Sequence, residues 1–167
     1  MEEKAQRSKI LEVETIRQYK RKIILTSTLT LAFLCLASGG FIYICFRPDS
    51  LIMFNWINNI GLSDAISALR NKISFHLPHW VIYALPDGLW VYSYVIFMSW
   101  IWKFDIRKGI VFILAIPIIG IVSEFAQQFG IIPGVFDWAD LICYSVGTAV
   151  GIFTVIMIEN KLKQIDK

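Results

Sequence analysis

Charge is scarce in this sequence. Asp, Glu, Lys and Arg make up 17% of 167 residues, against 56% apolar residues and a mean hydropathy of +0.60. A soluble domain of this length carries more charge and shorter apolar runs, which excludes that class. Cysteine is limited to Cys35, Cys45 and Cys143, an odd number that cannot be fully paired. A disulfide between Cys45 and Cys143 is one alternative, and free buried thiols are the commoner outcome. The only histidines are His76 and His79. Pro78 between them disfavours a helical ligand pair, so no metal is expected, and no cofactor motif is present. The sequence also lacks a Walker motif, a dinucleotide fingerprint and any Ser-His or Cys-His frame. Without a basic domain carrying interleaved aromatics, nucleic acid is not an expected partner.

What the sequence does contain is four apolar runs, each about the 20 residues that cross a bilayer core some 30 Å thick. They cover residues 23–46, 83–102, 109–130 and 138–158. The first is free of charge and flanked by Lys20, Arg21 and Lys22 before it and Arg47 after it. It is too long for a signal-peptide core, and its small residues lie inside it, so it reads as an uncleaved anchor. The expected fold is an all-α membrane protein, a four-helix transmembrane bundle. A basic lead-in helix over 1–22 precedes the membrane domain, 23–158, and a short tail, 159–167, follows it. Glu3 and Arg7 form a helix-favouring pair in the lead-in.

Lys and Arg resist translocation and so report orientation. Thirteen fall in the N-terminus, the 103–108 loop and the tail, and only Arg47, Arg70 and Lys72 fall on the other side. Both ends are therefore expected in the cytoplasm. The first outer loop, 47–82, carries Leu62, Ile66, Leu69 and Ile73 at helical spacing after a capping Ser63, with Asp64, Ser67, Arg70 and Asn71 on the polar side. This amphipathic piece is too short to span and is expected to lie flat on the outer membrane face.

Ionisable groups at membrane depth are costly and usually mark a site or a buried pair. Glu124 lies fifteen residues beyond Gly109, about 22 Å along a helix rising from the inner surface. Asp87 follows the entry of the second span from outside, Asp140 begins the fourth, and Asp137 precedes it by three residues. Four acids thus converge on one level under the outer surface. Glu124, Gln127 and Gln128 share one face of the third span, and Gly120 lets another helix approach one turn earlier. Asp140, Tyr144, Gly147 and Gly151 form a stripe on the fourth, in which the two glycines are a packing pair. Tyr83, Asp87 and Tyr94 share a face of the second. No Lys or Arg is expected at this level, so the acids must share protons, bind a cation or stay solvated. The bland alternative is a hydrogen-bonded plug that holds the four helices in one arrangement.

The stretch from Glu124 to Gly151 resembles the VanZ-like membrane proteins, whose pattern is a Glu, a Gln three residues on, two Asp three apart, then an Asn and two glycines. Glu124 and Gln127, Asp137 and Asp140, and Gly147 and Gly151 fall on that pattern. The Arg that precedes the first Asp in the family is absent here, Val135 being the nearest position, and Tyr144 replaces the Asn. The resemblance covers about a sixth of the chain. It implies a bacterial inner-membrane protein with an envelope role and a link to tolerance of glycopeptide antibiotics such as teicoplanin.

Residues and resemblance together predict an outward acidic pocket that binds a polar or cationic amphiphile or a lipid headgroup, through Asp87, Glu124, Gln127, Gln128, Asp137, Asp140 and Tyr144. Binding is favoured over catalysis. An enzyme acting on a lipid headgroup or peptide, and a structural subunit with a membrane-protein partner, are the alternatives.

Overall fold

A computed structural model describes residues 2–166, without the side chains of residues 2–5, 9 and 10. The expected Glu3–Arg7 pair, the side chains of Lys4, Lys9 and Ile10, and the whole of Lys167 lie outside what is described. Seven helices and no strand are found among those described: α1 (Glu2–Phe46), α2 (Ile52–Asn59), α3 (Ser63–Asn71), α4 (His79–Tyr83), α5 (Leu85–Ile101), α6 (Ile106–Gln128) and α7 (Trp138–Ile165). Four stretches are long and apolar enough to cross a membrane: α1, α4 with α5, α6 and α7. This is the layout of a multi-pass membrane protein.

The lead-in and the first span form one helix without a break at residue 22. Its 45 residues reach about 67 Å, more than twice the roughly 30 Å of a hydrocarbon core. The second span starts earlier than its hydropathy suggests, at His79, and is interrupted at Ala84. Pro86 accounts for the interruption, because it lacks the N–H that would bond back to Ile82. The third span also starts earlier, at Ile106, where Asp105 caps it by accepting from the Lys108 backbone N–H at 3.3 Å. The fourth runs on to Ile165 and takes up most of the expected tail.

α5 is the central helix. Val91, Tyr92, Ser93, Val95, Ile96 and Ser99 are buried around its circumference, as expected of a helix packed on all sides. The core joins Val95 and Ile96 to Ala32 of α1, Ile113 of α6 and Val155, Ile158 and Leu162 of α7. Apolar side chains gain little from leaving lipid, so close packing and internal hydrogen bonds must hold the helices together. Ser93 Oγ lies 2.8 Å from the carbonyl oxygens of both Ala32 and Leu89, and Ser99 Oγ donates to Val95 O. Tyr94 donates to the Phe112 carbonyl at 2.6 Å, one residue from the carbonyl that Pro117 leaves without its helical partner. Tyr94 is thereby committed to α6 and does not join the acids.

The termini lie at one end of the bundle, where Arg21 and Asp166 pair at 3.7 Å. The turn between α5 and α6 sits at that end too. Lys103 and Phe104 both adopt left-handed backbone (φ 55° and 58°), which costs a non-glycine pair some energy. Phe104, 1% exposed, anchors the turn in the core.

At the opposite, loop end, three findings depart from expectation. Residues 52–59, with no helical pattern noted in the sequence, form α2. Ser63 does not cap α3: it is the first helical residue after Leu62, and its hydroxyl donates to Asn58 Oδ1 at 3.0 Å. Arg70 is not a solvated side chain on a polar face either. It reaches back to the C-terminus of α1, pairing with Asp49 and donating to the carbonyls of Ile44 and Arg47.

Candidate functional site

α1 closes on Phe46, and the next residue turns its side chain into the loop end of the bundle. Arg47 Nη2 donates to the Tyr83 carbonyl at 2.8 Å, and the guanidinium lies over the rings of Tyr83 and Tyr43, at 4.4 and 5.0 Å. Its backbone is held from behind by Arg70 Nη2 on the Arg47 carbonyl, also at 2.8 Å. The expectation that no cation reaches the level of the acids is therefore corrected. In the sequence Arg47 is a flanking charge, directly following an uncharged span. Only the packing of Tyr43 and Tyr83 around it turns it inward.

Three of the acids stand near helix ends at the loop end of the bundle. Asp87 stands in the first turn of α5 and Asp140 in the first turn of α7, so two helix N-termini favour their negative charge. Glu124 sits in the last turns of α6 and is 5% exposed. The charges of Asp87, Glu124 and Asp140 act on one another, and that of Arg47 acts on Asp87, Asp140 and Tyr144. His79, stacked on Tyr83 at 4.2 Å, also acts on Asp140. Two polar atoms in this region are buried without a hydrogen-bond partner: Asp140 Oδ1 and Arg47 Nε.

The other expected residues take different places. Asp137 is the N-cap of α7, accepting from the Ala139 N–H at 2.8 Å, and its own N–H donates to Glu124 Oε2 at 3.3 Å. Gln127 lies beneath the 129–137 loop. A Cβ on Gly134 would come within 2.6 Å of its carboxamide, and the Gly134 φ of 142° also calls for glycine. Gln128 is exposed and is not brought to the acids. Tyr144 lays its ring on Gly120, where a Cβ would stand 2.9 Å from Cε1. Gly147 faces the backbone of Gly88, a partner with no signal in the sequence, and a Cβ on Gly147 would collide with the Gly88 carbonyl oxygen. Gly151 rests on Val95.

A cavity of about 740 Å³ adjoins the site, lined by Gly88, Ala139, Cys143 and Gly147 among others but by none of the four acids. The acidic pocket expected from the sequence does not coincide with this cavity, which is an apolar groove. The three cysteines are free. Among the described residues no three His, Cys, Asp or Glu side chains are grouped to hold a metal. His76 is exposed, and the segment carrying it is not helical.

No family model, curated protein or solved structure matches this chain.

Proposed function

We propose that this chain is a bacterial-envelope membrane protein whose charged cluster at the loop end binds the polar or cationic head of an amphiphile or membrane lipid. Both termini lie in the cytoplasm in this reading, the cluster faces the outer leaflet, and α3 lies along the outer surface. The Lys and Arg distribution supports that orientation. The resemblance of residues 124–151 to VanZ-like proteins supports the envelope role and the link to glycopeptide tolerance.

The observation that carries the reading is the buried, unpartnered Asp140 Oδ1, on a residue that shares the charge environment of Asp87 and Glu124. An orphaned buried carboxylate oxygen calls for a donor, and each one left unsatisfied costs about 1–3 kcal/mol. A cationic or hydroxylated headgroup supplies such a donor. The three acids outnumber Arg47, which biases the cluster toward positive charge.

A second reading has its own support. The Asp137 N–H on Glu124 Oε2 ties α6 to the loop before α7, so Glu124 also serves as a structural plug. This reading fits a structural subunit that needs no ligand.

The experiment is native mass spectrometry of the chain purified in mild detergent, with Glu124→Gln and Asp140→Asn beside the wild type. Both changes keep shape and an acceptor while removing charge. The reading expects a bound amphiphile in the wild type, lost from both variants while their melting stays near normal. Wild-type occupancy in both, or an empty wild type, overturns it. Normal function of the Gln variant with unfolding of Glu124→Leu favours the plug.

A further inference from the structure

A second charged region lies at the terminal end of the bundle, away from the acids. There α1 and α5 leave a cleft of about 350 Å³ between them. Six residues of α1 line it, Gln18, Arg21, Lys22, Leu25, Thr26 and Leu29, and Trp100 of α5 faces them. The six are an i, i+3, i+4, i+7, i+8, i+11 series, so they form one continuous helical face. Gln18 to Leu29 covers about 16 Å along the helix.

Depth decides the shape of what fits. On α1 the uncharged run begins at Ile23, directly after Lys20, Arg21 and Lys22. On the second span the apolar run ends at Trp102, directly before Lys103. Two neighbouring helices thus put the edge of the hydrocarbon at the same level, beside Trp100 and between Lys22 and Leu25. Trp100 is 49% exposed there, where indole rings favour the interface. Outside that edge the cleft carries Gln18, Arg21 and Lys22, and inside it Leu25, Thr26 and Leu29. Leu25 and Leu29 also rest on the core.

Charge decides the polar end. Arg21 and Lys22 line the cleft themselves and are exposed, so a ligand reaches them without displacing a packed group. Among the described residues no acid lines it. Asp166 pairs with Arg21 at 3.7 Å, through side chains that are both largely exposed, and such a pair is weak. Arg17, Lys20 and Lys161 line the adjoining cleft between α1 and α7 and add positive potential at this level. The complementary ligand carries an anionic head at the hydrocarbon edge and an apolar body directed into the core. A soluble anion meets only the first half of that description, and a zwitterionic lipid brings an ammonium group into a field of cations. An anionic lipid has this order of groups already, and its leaflet holds it at this depth.

We propose that the α1/α5 cleft binds an anionic phospholipid, with its phosphate on Arg21 and Lys22 and the first carbons of one acyl chain along Leu25 and Leu29, beside Trp100. In the orientation proposed above this is a lipid of the cytoplasmic leaflet. The site shares no residue with the acidic cluster and stands independently of the reading of that cluster.

The test uses the full chain in dodecyl maltoside, titrated with dioleoylphosphatidylglycerol or dioleoylphosphatidylcholine and read by native mass spectrometry. The glycerol lipid is expected to form a one-lipid adduct at a concentration about tenfold lower, on the order of what two exposed cations supply. Arg21→Gln with Lys22→Gln should remove about that factor. Arg107→Gln with Lys108→Gln takes the same charge from the same end outside the cleft, and should change the preference by less than about twofold. If the first double variant melts early, Lys22→Gln alone leaves the Arg21–Asp166 pair intact and should remove about threefold. Position is read with phosphatidylglycerol brominated on one acyl chain, which quenches indole fluorescence on contact. Quenching should fall in Trp100→Phe, and inorganic phosphate in excess should not relieve it in the wild type. Equal binding of the two lipids, binding of neither, equal losses in the two double variants, or undiminished quenching in Trp100→Phe overturns the inference. Relief by phosphate assigns the site to a soluble anion and overturns it as well.

Discussion

Arg70 of α3 donates to the carbonyl oxygen of Arg47 at 2.8 Å, so one arginine holds the backbone from which the other turns its side chain onto Tyr43 and Tyr83. Arg70 also takes the Ile44 carbonyl and pairs with Asp49 while lying over Phe54 at 4.6 Å. A helix C-terminus leaves four carbonyls without partners, and one guanidinium fork serves two of them here.

Arg70→Gln should therefore destabilise the fold by about 1–3 kcal/mol, and Arg70→Lys should not restore it, because an ammonium cannot span the same set of acceptors. Asp49→Asn should change stability by less than about 1 kcal/mol, its side chain being 78% exposed. Thermal melts in detergent micelles measure both. Equal melts for Arg70→Gln and wild type would discard the clamp.

Glycines on the spans divide by what surrounds them. A Cβ on Gly147 meets the Gly88 backbone, which cannot move aside as a flexible side chain does, whereas one on Gly40 meets nothing within 4 Å. Gly147→Ala should cost about 1–3 kcal/mol, and Gly40→Ala should be neutral or slightly stabilising. If the two variants melt together, α5 and α7 do not approach through these residues.

Asp137 gives a milder contrast on the same helix. Asp137→Asn retains the cap on α7 and should leave the melt nearly unchanged, while Asp137→Ala should cost about 1 kcal/mol.

The orientation has its own check. Reporters fused after Lys167 and within residues 103–108 should register cytoplasm, and one near residue 72 should register the outside. A periplasm-active fusion at the C-terminus contradicts the proposed sidedness of the charged cluster.

Asp105, at the terminal end, sets a pH signature. The Lys108 side chain, at 3.0 Å, together with its backbone N–H, holds the Asp105 carboxyl below its ordinary range. A folded-state pKa below the unfolded one gives stabilisation that is complete above about pH 4 and is lost as pH falls through the lower folded value. Asp105→Asn keeps an N-cap acceptor but loses this acid-side slope. An unchanged slope below about pH 4 would show that the carboxylate contributes nothing there.

Position along the bundle axis was legible from residue number. A span must satisfy its backbone within the helix, so its length follows from composition, and each residue adds 1.5 Å of depth. That is why the four spans emerge from the sequence, and why Asp87, Glu124, Asp137 and Asp140 could be placed on one level. The glycines of α7 were legible as a face for the same reason, since helical phase is local. Azimuth and partnership are not local. Gly88 opposite Gly147, Gln127 beneath Gly134, and Arg47 turned inward by Tyr43, Tyr83 and Arg70 all depend on which helices lie side by side and at what rotation. The groove is further from the sequence still. It exists because α1 and α7 both pack on α5 and not on each other along its length, a matter of three-body geometry that no single helix encodes.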